Sequence, residues 1–202
     1  MDLNYIFATG NFLQSYRSDL LYFSNFQSFI IDQSNIDLYS KKGEGTFKNF
    51  INEYRVARNT DKFKTKELLI ATINWLQKNK SIKVDEFAKY LNRNKLTHGK
   101  TALSLASKIL FLSDPWNIYP YDNQARSALK HKILSYNEYY KSLINFKLEN
   151  ESEIKYALKL INSHVSFVEK DFKNKLFKIE LIRENRFVDK ILWSIGKNKN
   201  NT

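Results

Sequence analysis

The stretch whose reading decides the fold is Ser104–Leu129, SLASKILFLSDPWNIYPYDNQARSAL. Apolar residues at three- and four-residue spacing run through SLASKILFL, which is the mark of a helix. Pro115 and Pro120, the two prolines of the chain, then bracket an aromatic loop that a helix cannot cross. Helical spacing resumes in QARSAL, directly after Asp122. An aspartate in that place is an N-cap, because its carboxylate accepts hydrogen bonds from the otherwise orphaned N–H groups of the next turn. The stretch therefore reads as helix, rigid corner, helix, with a carboxylate delivered to the start of the second helix.

Working outward, the same spacing recurs in TFKNFINEYRVA, TKELLIATINWLQKN, VDEFAKYLNR, QARSALKHKIL, YNEYYKSLINFKL, EIKYALKLINSHV and FVDKILWSIGK. Five glycines and two prolines are too few for the many tight turns of a β sandwich or barrel. The prediction is an all-α helical bundle over residues 1–202, one compact unit whose helices form two lobes flanking a cleft. Short extended pieces are expected at SFIIDQ and LFKIELI, the latter equally readable as helix. SKKGEGT, residues 40–46, reads as a flexible connection, Gly196 as a helix stop, and residues 197–202 as a polar tail.

The chain carries 33 Lys and Arg against 21 Asp and Glu, a formal charge of +12. An excess of that size favours polyanions, nucleic acid first, since neutralised phosphates release counterions. It is not spread evenly. Residues 93–147 hold nine basic and three acidic side chains, a net of +6. Biased codon usage alone gives no reason for that concentration. With no cysteine there is no disulfide, thiol nucleophile or cysteine-held metal or cluster. No apolar run approaches the roughly 18 residues that cross a bilayer, and the N-terminus lacks a signal-peptide pattern, so a cytoplasmic protein without a membrane partner is expected.

A carboxylate at a helix start favours its ionised form, through the helix dipole and the backbone donors. Set beside bound nucleic acid, such a group suits a reaction in which the sugar turns cationic as a glycosidic bond breaks. At IYPYDNQARSAL the sequence resembles the helix-hairpin-helix DNA glycosylases, the superfamily that includes adenine and 8-oxoguanine glycosylases. There a helix leads through a loop to an essential aspartate at the next helix start. The resemblance runs without a gap from Ser104 to Leu129 and puts Asp122 in the aspartate position, with Arg126 four residues on. Bifunctional members carry a Schiff-base lysine upstream, and Ser104 stands in that slot. The resemblance thus implies a monofunctional enzyme, in which Asp122 stabilises the oxocarbenium-like sugar and orients water. Lys108, a helical turn beyond Ser104, is a second candidate for supplying an amine. The family's hairpin usually holds two glycines against a DNA phosphate. This chain offers KLTHGKTALS with Gly99 alone, so Lys95 and Lys100 are candidates to replace backbone contacts.

Residues 93–132 form the expected DNA-facing helix, loop and helix, with Lys95, Lys100, Arg126 and Lys130 as phosphate contacts. Trp116, Tyr119 and Tyr121 are candidates for a base pocket, because enzymes acting on a base take it out of the stack and hold it against aromatic rings. Packing of the loop explains such rings equally well. His98, His131 and His164 are isolated, so neither a metal nor another cofactor is expected. NKLTHGKT imitates a phosphate-binding loop but follows a helix instead of a strand. The expected partner is double-stranded DNA with an extruded base, and the expected state is a monomer. Two other classes stay open: a noncatalytic nucleic-acid-binding or host-defence module on the same scaffold, and a helical protein-interaction domain.

Overall fold

The computed structural model describes residues 2–60, 64–79 and 83–199. Among the described residues the chain is all-helical, with eleven α-helices, one 3-10 turn and no strand. It divides into two compact units, one formed by Met1–Leu20 with Tyr119–Thr202 and the other by Leu21–Ile118.

Helix α1 (Leu3–Ile31) supplies residues to both units. No helix is expected here from the sequence, and the expected extended piece SFIIDQ is instead helical over Ser28–Ile31, which continues α1. The signal was present. Its buried residues Tyr5, Ala8, Phe12, Tyr16, Leu20, Phe23 and Phe26 step by three or four, a helical period written largely in aromatics.

The Leu21–Ile118 unit continues through α2 (Ile36–Tyr39), α3 (Phe47–Glu53), the 3-10 turn Ala57–Asn59, α4 (Thr65–Lys78), α5 (Val84–Arg93) and α6 (Leu103–Ser113). Every residue from Leu105 to Leu112 is buried, so α6 runs through the middle of its unit with α5 packed against it. Phe23 meets Phe111 edge-on at 4.8 Å between ring centres. The 40–46 connection is fastened in place. Thr46 donates its hydroxyl to the carbonyls of Lys41 and Gly43, and the Asn25 amide donates to the Gly45 carbonyl. Gly45 sits at φ +66°, where a side chain would be strained.

The other unit holds α7 (Asn123–Ala128), α8 (Tyr136–Glu149), α9 (Glu151–Leu160), α10 (Asn162–Glu169) and α11 (Ile179–Lys199). Helix α11 is central, since Asn185, Arg186, Phe187 and Val188 are buried in succession. Phe187 packs on Phe12 at 5.5 Å, and Phe12 stacks on Tyr16 at 4.4 Å. Two boundaries differ from the sequence expectation. Helix α7 ends at Ala128, well before the end of QARSALKHKIL, and Lys130 follows at φ 52° in the left-handed region. Helix α11 passes through Gly196 to Lys199, so that glycine is not a stop. A methyl built on Gly196 would overlap the Gln124 carbonyl oxygen, and its absence lets α7 lie backbone-close on α11. Of the expected 197–202 tail, Lys197–Lys199 is helical and the rest lies outside the described residues. LFKIELI is turn and helix, with Ile179 opening α11.

Candidate functional site

The segment before Asp122 is held by tyrosine hydroxyls from the helices that follow it. Tyr136 Oη accepts the Tyr119 N–H at 2.8 Å and donates to the Tyr119 carbonyl at 3.1 Å. Tyr139 Oη donates to the Pro120 carbonyl at 2.9 Å, and Tyr121 Oη to the Ile133 carbonyl at 3.3 Å. Tyr119 in turn donates its own hydroxyl to Asn185 Oδ1 on α11. Burial pushes the Tyr119 and Tyr139 hydroxyls well above the ordinary tyrosine range, so both stay protonated and keep donating. Extended backbone that a proline alone would only stiffen is thereby fixed at three backbone groups, with two side-chain ties added by the Tyr121 and Tyr119 hydroxyls.

Asp122 sits at the end of this fixed segment, at φ −119° and ψ 148°, and caps α7 by accepting the Gln124 N–H on Oδ1 at 2.8 Å. Its side chain is half-buried. Lys190 of α11, which the field of Asp122 reaches, stands among charged groups of α1 and α11. Arg186, buried on α11, gives Nε and Nη2 to Asp19 Oδ2 at 2.9 and 2.7 Å, and Nη1 to Asp189 Oδ2 at 2.6 Å. Lys190 follows on the same helix. Burial, and then the Arg186 charge, holds its ammonium below the ordinary lysine range, against the pull of Asp19, Asp189 and Asp122. The field of Asp122 reaches both Lys190 and Tyr139.

At the far end of α7 the Arg126 guanidinium lies 5.1 Å over the Tyr121 ring, and its buried Nε has no hydrogen-bond partner among the described residues. His131 meets Tyr121 and Tyr139 edge-on at 6.5 and 5.9 Å, with its Nε2 buried and likewise unpartnered. Lys130 is exposed beside them. Asp122, Arg126, Lys130, Tyr119 and Tyr121 therefore belong to one unit and are carried by α7 and its flanking turns.

The remaining residues singled out in the sequence belong to the other unit. Ser104 is half-buried in the first turn of α6. Lys108 is buried and donates its ammonium to the Tyr54 carbonyl at 3.1 Å, at the C-terminal end of α3. That contact satisfies a carbonyl the helix end leaves open, which ties Lys108 to a structural duty. Lys95 (φ 56°), Gly99 (φ 69°) and Lys100 lie on the exposed loop between α5 and α6, where Thr97 Oγ1 donates to the Lys100 carbonyl at 2.8 Å. Trp116 is half-buried. Tyr119 and Tyr121 are buried among neighbouring rings, so they pack the corner and present no open face to a base. Of the three aromatics in the expected base pocket, Trp116 keeps part of its surface in solvent.

Arg186 and Lys190, whose places on α11 give them the charged surroundings described above, carry no role in the sequence expectation. The signal was their place between buried positions, with Arg186 directly before Phe187 and Lys190 directly before Ile191. Among the described residues no group of three or more His, Asp or Glu side chains is placed to hold a metal ion, and no helix is long and apolar enough to cross a membrane. No family model, curated protein or solved structure matches the chain.

Proposed function

We propose that the chain is a DNA glycosylase of helix-hairpin-helix type, which removes a damaged or modified base by attack of water on the sugar. The observation that carries this reading is Asp122: a half-buried carboxylate at a helix start, on backbone that tyrosine hydroxyls hold rigid. As the N-glycosidic bond breaks, its electron pair leaves with the base and positive charge develops on C1′. The carboxylate stabilises that charge, which is the differential stabilisation catalysis requires. Water then adds through its oxygen to C1′, Asp122 takes the released proton and passes it through solvent to the departed base anion, and the products are a neutral free base and an abasic site. Arg126 on α7 and Lys130 just beyond it, and Lys95 and Lys100 on the α5–α6 loop, are the cations this reading assigns to phosphates.

Fluorescent or radiolabelled duplexes carrying oxidised, deaminated or alkylated bases, followed by alkaline cleavage at abasic sites, test the reading. Asp122→Asn is the decisive variant, because asparagine caps a helix about as well as aspartate and removes only the charge. Release by the wild type with loss in Asp122→Asn supports catalysis. Salt-sensitive duplex binding that persists unchanged in Asp122→Asn, with no base released by either protein, supports the noncatalytic binding module. That second reading is favoured by the ordinary capping bond Asp122 makes to the Gln124 N–H.

A further inference from the structure

Between α10 and α11 the chain makes a run of turns whose side chains sort sharply by face. Phe172 and Leu176 are buried and anchor the run. Backbone bonds close it: Phe172 and Lys173 N–H to the Glu169 carbonyl at 2.9 and 3.0 Å, Lys175 and Leu176 N–H to the Phe172 carbonyl at 2.9 Å. Facing outward are Phe167 near the end of α10, 73% exposed, and Phe177, 67% exposed, although aromatic rings ordinarily gain by burial. Each exposed ring has a lysine ammonium against it, Lys170 at 5.9 Å from the Phe167 centre and Lys178 at 5.0 Å from that of Phe177. Lys173 and Lys175 complete the set, and an open surface depression of about 520 Å³ lies among Lys173, Asn174, Lys175, Phe177, Lys178 and Glu180. Glu169, at the start of the turns, is buried and held by Arg183 and Tyr16, so its charge does not offset these lysines at the surface.

We propose that this turn binds a single strand of nucleic acid, one base stacking on Phe177 in the open depression and the flanking phosphates lying on Lys173, Lys175 and Lys178. Alternation of exposed rings with ammonium groups is what a strand requires, since stacking is indifferent to sequence and cations follow the backbone. An anionic membrane is the competing occupant of a basic aromatic surface. It wants a continuous apolar face, whereas here Asn174, Asp171 and Glu180 interrupt the rings and the other apolar residues point inward. The surface lies at the Ile179 end of α11, about 25 Å along that helix from Gly196, where α7 rests. It is independent of the reading of Asp122.

Fluorescence anisotropy with labelled oligo(dT) and oligo(U) on the full chain tests it. Phe177→Ala is expected to weaken binding about tenfold, with Phe177→Tyr near wild type. Lys173→Glu combined with Lys175→Glu weakens it further and lowers the salt slope by about two. Glu180→Gln, which removes a carboxylate from the wall of the depression, tightens it. The two oligomers distinguish DNA from RNA as the source of the strand. Equal binding by wild type, Phe177→Ala and the double charge reversal overturns the proposal. So does binding to phosphatidylserine vesicles with none to either oligomer, or no binding to oligomers at low salt.

Discussion

Asp122 and Glu169 are carboxylates of the same unit, and the fold treats them in opposite ways. Glu169 is fully buried, with both oxygens engaged by Arg183 and a further bond of 2.6 Å from Tyr16 Oη. Asp122 keeps part of its surface in solvent and takes a backbone N–H of the helix it caps. Burial in the first case makes full pairing obligatory, since a buried charge without its partner is costly. In the second, the tyrosines fix the backbone instead of the carboxylate, so the group is placed accurately while part of it still meets solvent. A fold saturates the acid groups that it buries. The fold has not buried the one at the Pro120 corner, although Tyr119 and Tyr121 beside it are closed off.

The strongest way to break this contrast is to exchange what the two positions tolerate. Glu169→Gln leaves the Arg183 guanidinium without a counter-charge and is expected to cost about 3 kcal/mol in urea unfolding, whereas Asp122→Asn changes stability by less than about 0.5 kcal/mol. Equal losses at the two sites would erase the distinction. Gly196→Ala comes next. The added methyl meets the Gln124 carbonyl, backbone that cannot swing away as a side chain can, so α7 must shift. A loss of about 2 kcal/mol is expected, together with a fall in base release, because Asp122 moves with the helix it caps. Full activity in a destabilised Gly196→Ala protein would show that the position of α7 does not matter to the chemistry.

Much of this architecture was legible because it is local. The spacing in VDEFAKYLNR and the proline after Asp114 predict α5 and the end of α6 within a residue or two, and the Pro120–Asp122 pair marks the cap that the structure shows. What escaped is set by residues far away in sequence. Gly196 looks like a helix stop until Gln124 is known to lie against it. Lys108 looks like a spare amine one turn from Ser104, but its acceptor is the carbonyl of Tyr54. Tyr119 and Tyr121 alternate as a stacking pair would, yet partners on α8 and α11 turn them inward. Helix α1 escaped for a different reason: the exposed apolar residues Leu3, Ile6, Phe7 and Leu13 blur the buried stripe that runs from Tyr5 to Phe26.

At Asp122 the comparison narrows to cap against charge. Asp122→Ala removes both and is expected to cost about 1 kcal/mol of stability, while Asp122→Asn removes the charge and keeps the cap. If base release fails in both, the charge is the chemical element. If it fails in alanine alone, the cap is.

The smallest effect concerns Lys190. Its ammonium is held below 10.5, the ordinary lysine value, by burial and by Arg186, so in the alkaline range the unfolded chain binds more protons at this residue than the folded one does. Stability from this group therefore rises with pH between the folded value and 10.5, and at neutral pH the cost of the charge is fully present. Lys190→Met keeps the stem and removes that cost, so its Tm at pH 7 should exceed that of the wild type by about 2 °C, with the gap closing as pH rises. A Tm gain accompanied by lost base release would mean that the fold tolerates this charge near Asp122 for the sake of the reaction. A gain with undiminished release would leave the chemistry to the carboxylate alone.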